Sequence, residues 1–155
     1  MAELHLQEGQ QAPDFTLLDQ AENKVSLSQH RGHKVLVYFF PKADTPGCTK
    51  QSCGLRDIRS DIDDTVIFGI STDQPAKQKK FDDKYGLGFP LLSDPEHTTA
   101  EAYGVWGQKS MMGKKYMGIH RSSFLIDATG SLEHVWYKVS PAETPINLIT
   151  ALSAK

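Results

Sequence analysis

Two short, continuous apolar runs, Val35-Leu36-Val37-Tyr38-Phe39-Phe40 and Val66-Ile67-Phe68-Gly69-Ile70, lack the alternation of a strand with one wet face. Such runs suit central strands of a sheet covered on both sides. Other segments carry turn residues between β-rich stretches. Phe15–Leu18 and Lys24–Leu27 flank the polar turn 19–23, and Ser123–Asp127 and Leu132–Tyr137 flank Ala128-Thr129-Gly130. Both read as hairpins. Helical spacing predicts one helix from Cys48 to Ile62 and another from Gln74 to Tyr85, stopped by Gly86-Leu87-Gly88. A shorter helix should follow the Ser93-Asp94-Pro95 turn, and a closing one should run from Pro145 to Leu152. Apolar strands alternating with helices define an α/β chain, a sheet flanked by helices.

The helix after Cys48 can be resolved face by face. At about 100° per residue, Leu55, Ile58 and Ile62 form one apolar stripe, and Cys48 lies within about 40° of its centre. Cys48 should therefore point inward. Cys53 falls about 140° round from Cys48, on the side of Lys50, Asp57, Ser60 and Asp64, and should face solvent. Cys48 also stands where a strand runs through a proline-flanked turn into a helix start. Unpaired backbone N–H groups and the positive end of the helix dipole favour a sulfur anion there. A nucleophilic sulfur with a second one five residues away points to reversible thiol oxidation.

Composition narrows the alternatives. A chain of 155 residues fits one domain, residues 1–155, with a core that needs no disulfide staples. A net charge of −2 with both signs interspersed argues against polyanion partners such as nucleic acid. No apolar run approaches the length of a membrane span, and Met1–His5 lacks the charge and apolar core of a signal peptide. The expected location is the cytoplasm, where a cysteine pair is more often catalytic than structural. Zinc is disfavoured because no histidine lies near Cys48 and Cys53 in sequence.

The stretch Pro41-x-x-x-Thr45-x-x-Cys48 resembles the active-site motif of the peroxiredoxins. Cys53 sits where the bacterioferritin comigratory protein branch, also called peroxiredoxin Q, places its resolving cysteine. The resemblance extends through Gly9–Phe15, Gly69–Asp73, Leu91–Asp94, Tyr103–Gly107 and His120–Asp127, and no position of the motif departs from the pattern. It implies a thioredoxin-like fold, a central mixed sheet flanked by helices with an added N-terminal β-hairpin. The implied activity is thiol-dependent reduction of hydroperoxides. Cys48 would be the peroxidatic cysteine and Cys53 the resolving one, with Pro41, Thr45 and Arg121 completing the site. No cofactor is implied, and the reductant would be thioredoxin or a similar dithiol protein.

The chemistry suits those residue types. Attack on an O–O bond needs an ionised sulfur and donors for the departing oxygen. Thr45 offers a hydroxyl, Arg121 a permanent cation with several N–H groups, and Pro41 ring carbons without a competing donor. Cys48 would pass through a sulfenic acid to a disulfide with Cys53, which exchange with an external dithiol would reduce. Residues five apart on a regular helix have Cα atoms about 8.7 Å apart, beyond the ~7 Å reach of a disulfide. The helix must therefore fray first, and Gly54 weakens it there.

Other readings use the same residues. A general dithiol–disulfide oxidoreductase would carry Cys-x-x-Cys, which this chain lacks. A redox sensor or an oxidation-dependent chaperone would oxidise Cys48 without turnover. Lys77, Lys79 and Lys80 read as a solvated helix face. Lys114 and Lys115, in a loop from Gly107 to Gly118 with Met111, Met112 and Met117, are either plain surface or a contact for the reductant. With no C-terminal extension to carry a resolving cysteine to a partner, a monomer is expected.

Overall fold

The computed structural model describes residues 6–62 and 64–153, so Met1–His5, assessed above for a signal peptide, lie outside it. Along the chain run β1 (Thr16–Leu18), β2 (Lys24–Ser26), β3 (Val35–Phe39), α1 (Pro46–Asp57), β4 (Val66–Ser71), α2 (Pro75–Tyr85) and β5 (Leu91–Ser93). After these come α3 (Thr98–Ala102), β6 (Trp106–Met111), β7 (Lys114–Ile119), β8 (Ser122–Ile126), β9 (Leu132–Trp136) and α4 (Glu143–Ser153). Seven strands form a mixed sheet in the order β2-β1-β5-β4-β3-β8-β9. β4 pairs in parallel with β3 and β5, and the remaining neighbours are antiparallel. The N-terminal hairpin extends the sheet edge, because Leu18 pairs with Ser93 of β5.

β3 is buried along its whole length and divides the interior in two. Successive side chains of a strand point to opposite faces. Val35, Val37 and Phe39 thus meet Phe68, Ile70, Tyr103 and Phe124, while Leu36, Tyr38 and Phe40 meet Leu55, Phe81, Leu125 and Leu148. The second cluster receives α1, α2 and α4, and Cys48 belongs to it. Among the described residues no helix is long and apolar enough to cross a membrane.

Three elements differ from the sequence pattern. α1 begins two residues before Cys48 and stops at Asp57, short of Ile62. Proline at its first position supplies a helical φ and has no N–H to leave unpaired. Its end falls where weak helix formers gather (Ile58, Ser60, Asp61), and a 3₁₀ turn at Arg59–Asp61 then brings Ile62 into the core. The three-residue β5 is too short to show a period. The segment read as a loop from Gly107 to Gly118 is an antiparallel hairpin, paired from Trp106↔Ile119 to Met111↔Lys114. It turns at Met112 and Gly113, both with positive φ (52° and 81°), as a two-residue hairpin turn requires.

One close approach links the sheet to α1. The Tyr38 hydroxyl lies 2.8 Å from Ser52 Oγ, and both groups are fully buried. The Tyr38 ring crosses β4 at Gly69, where a Cβ would stand 2.7 Å from Cζ and from the hydroxyl oxygen. Gly69→Ala should therefore displace Tyr38 and lower unfolding free energy by about 1–3 kcal/mol, as measured by urea denaturation. An unchanged midpoint would show that Tyr38 has room to yield.

Candidate active site

The turn between β3 and α1 is fastened before it reaches the sulfur. The Ala43 N–H donates to Asp73 Oδ2 at 2.7 Å, and the same oxygen accepts from Ser71 Oγ at 2.7 Å. Buried Gln78 Nε2 in turn donates to Ser71 Oγ at 2.9 Å. Asp44 takes a left-handed conformation (φ 60°), and its carboxylate accepts from Lys84 Nζ at 3.2 Å and from the Tyr85 hydroxyl at 3.0 Å. Those two donors hold the Asp44 carboxyl below its ordinary value. The turn is thereby tied to β4 and to both ends of α2.

Cys48 is the third residue of α1 and is fully buried, facing inward as its place on the helix predicts. Arg121, just before β8, donates from Nη2 to Cys48 Sγ at 3.3 Å and from Nη1 to Gln51 Oε1 at 2.6 Å. Gln51 Nε2 donates to Thr144 Oγ1 of α4 at 2.8 Å. Gln51 and Thr144 are wholly buried, so the chain Thr144–Gln51–Arg121 fixes the guanidinium against the sulfur. Sequence reasoning missed this pair. A signal existed for one of them, since Gln51 falls about 60° from Cys48 on the apolar stripe, where a polar side chain needs a partner. The approach also depends on Gly47, where a Cβ would stand 3.1 Å from Arg121 Nη2 and 3.3 Å from Pro141 Cγ.

Pro41, Thr45, Cys48 and Arg121 line one wall of a cleft of about 440 Å³, with Lys42 and Thr72 beside them. The β6–β7 hairpin forms the other wall through Trp106, Lys109, Tyr116, Met117, Gly118 and Ile119. Thr45 Oγ1 donates its proton to the Lys42 carbonyl at 2.8 Å. Its oxygen is left as an acceptor for an incoming O–H group. The site thus offers a buried sulfur, a permanent cation that donates to it, and a largely apolar chamber open to a small molecule.

Cys53 corrects the sequence reading. It is half-buried and packs against the same cluster as Cys48, so it is only partly open to solvent. The helical wheel treats the sheet as the sole apolar neighbour of α1, whereas α4 also packs along it. A Cβ at Gly54 would stand 3.0 Å from Pro145 Cγ, so the glycine permits that contact. Both cysteines are free thiols.

A thioredoxin-like sheet with a buried cysteine and an arginine at the head of α1 defines a thiol peroxidase of the peroxiredoxin class. Residues 8–135 match the model of the AhpC/TSA family. The chain is 57% identical over 132 residues to a putative peroxiredoxin Bcp of Haemophilus influenzae, covering 84% of this chain and 85% of that one. It is 53% identical over 133 residues to peroxiredoxin Bcp of Escherichia coli, with the same coverage of both. Among solved structures, a cysteine-to-serine mutant of Xylella fastidiosa peroxiredoxin Q superposes with a TM-score of 0.91 at 25% identity, covering 97% of this chain and 98% of that one. The bacterioferritin comigratory protein of Xanthomonas campestris, studied for alkyl peroxide reduction, gives 0.87 at 31% identity, covering 96% and 98%. The chain belongs to the AhpC/TSA family, in its Bcp and peroxiredoxin Q branch.

The tight seat of Arg121 generates a test. Gly47→Ala should push the guanidinium off the sulfur by a few tenths of an ångström and slow peroxide reduction on the order of 10-fold. The helix itself should persist, because alanine is the stronger helix former by about 1 kcal/mol. Stopped-flow fluorescence would read the rate; a wild-type rate would mean that Arg121 tolerates the shift.

Proposed function

We propose that the chain, acting as one domain over residues 1–155, reduces hydrogen peroxide and organic hydroperoxides through Cys48. Cys53 resolves the sulfenic acid, and thioredoxin or a similar dithiol protein recycles the disulfide. The observation that carries this reading is the Arg121 guanidinium donating to the buried Cys48 Sγ at 3.3 Å on the wall of an accessible cleft. The sulfur electron pair attacks one peroxide oxygen, the O–O bond breaks, and the second oxygen departs as hydroxide or alkoxide. Arg121 neutralises charge on the reacting atoms, Thr45 accepts from the peroxide hydroxyl, and Pro41 screens the sulfur from water. The Cys53 sulfur then displaces water from the sulfenic acid to close the disulfide, and an external dithiol reopens it by exchange. The alkyl peroxide reduction named for the Xanthomonas relative supports organic substrates here as well. The reading includes a monomer working in the cytoplasm.

The disulfide requires α1 to open. The helix runs unbroken through both cysteines, which places their Cα atoms about 8.7 Å apart on regular geometry. Opening releases the Gln51–Thr144 and Arg121–Gln51 bonds and draws Cys48 out of the core. Amide exchange from Thr49 to Arg56 should accordingly be slow in the dithiol form and fast in the disulfide form. Equal protection in both states would refute the opening.

Turnover with a dithiol reductant tests the chemistry. Cys48→Ser should abolish peroxide consumption, and Cys53→Ser should consume about one equivalent and then stall with thioredoxin-type reductants. A first turnover in Cys48→Ser equal to wild type would overturn the assignment. A wild-type chain that oxidises once and never turns over would indicate the redox sensor or the oxidation-dependent chaperone.

A further inference from the structure

Lys109 reaches the peroxide cleft by an unusual route. It belongs to β6 and is partly buried, and its stem lies across Gly118 of the facing strand, where a Cβ would stand 3.1 Å from Lys109 Cδ. Any larger residue at Gly118 would lift the stem. The ammonium donates to the Ile119 carbonyl at 2.9 Å, at the end of β7 beside Arg121. That bond uses one of three donors. Cys48, Arg121 and Lys109 line the same cleft, and the charges of the first two act on Lys109.

The reaction proposed above leaves a proton unaccounted for. When sulfur attacks an alkyl hydroperoxide, one oxygen stays on sulfur as the sulfenic OH and the other departs as a strongly basic alkoxide. Arg121 stabilises charge and keeps its proton, since a guanidinium is not deprotonated in proteins. The Thr45 proton is committed to the Lys42 carbonyl. Lys42 and Tyr116 line the cleft from exposed positions.

We propose that Lys109 is the general acid of peroxide reduction, donating a proton from its ammonium to the departing oxygen as the O–O bond breaks. Cys48 thiolate, hydroperoxide and Lys109 ammonium become Cys48 sulfenic acid, alcohol and Lys109 amine, and solvent returns the proton to the amine. Burial and the Arg121 charge both push the Lys109 ammonium below its ordinary value, against a smaller opposing pull from Cys48. It is therefore a stronger acid than a surface lysine.

The proposal rests on the peroxidase reading, and the test separates the two. Sulfenic acid formation is followed by stopped flow in a Cys53→Ser background, with ethyl hydroperoxide and with peracetic acid. The two oxidants are close in size, but ethoxide needs a proton to leave and acetate does not. Lys109→Met should slow the ethyl hydroperoxide reaction about 100-fold, the low end of general acid catalysis, and the peracetic acid reaction only a few-fold. Lys109→Arg keeps the charge and a donor for the Ile119 carbonyl. It should show the same selective loss, because it cannot release a proton. Equal losses with both oxidants in Lys109→Arg, or full ethyl hydroperoxide activity in either variant, would overturn the role of Lys109. No reaction of the Cys53→Ser reference chain with either oxidant would instead overturn the peroxidase reading.

Discussion

The guanidinium of Arg121 holds the site together from both ends. One nitrogen donates to the Cys48 sulfur and the other to Gln51, whose amide is anchored in turn on Thr144 of α4. Every group in that line except the arginine is fully buried, so each link answers the polar demand of the next. Remove one, and a buried donor or acceptor is left without its partner. The Cys48 sulfur, the flank of α1 and the start of the last helix are therefore one mechanical unit.

The surrounding fold exists to keep that unit in register. β3 sends alternate side chains into two cores, and only one of them contains Cys48. Tyr38 reaches from this core to Ser52 on α1, so the strand that leads into the active-site turn also grips the helix that leaves it. The turn itself is roped to α2 by Asp44 and to Asp73 by the Ala43 amide. Such contacts hold the short segment from Pro41 to Thr45 as one edge of the cleft.

Much of this was legible in the residues, for identifiable reasons. Val35–Phe40 and Val66–Ile70 are apolar without a break, which only a doubly covered strand tolerates, and both became central strands. The inward aim of Cys48 followed from its angle to Leu55. The wheel failed for Cys53 because it carries no information about which distant parts of the chain pack around α1. The β6–β7 hairpin was illegible for a different cause. Among the described residues it pairs only with itself, so its strands are free to hold lysine, glycine and methionine in no clear alternation. That freedom is also what let the second wall of the cleft carry a cation.

The packing of α4 on α1, through Gln51 on Thr144 and Gly54 on Pro145, sets a clock. In the cycle proposed above, the sulfenic acid on Cys48 would wait for α1 to let go of Thr144 and Pro145 before a disulfide could close. During that wait the cleft would stay open to a second hydroperoxide, and a second encounter would carry the sulfur one rung further, to a sulfinic acid that no dithiol reverses. The grip of α4 on α1 would thus fix a threshold dose. Below it the proposed cycle would continue, and above it each molecule would be spent once and for all.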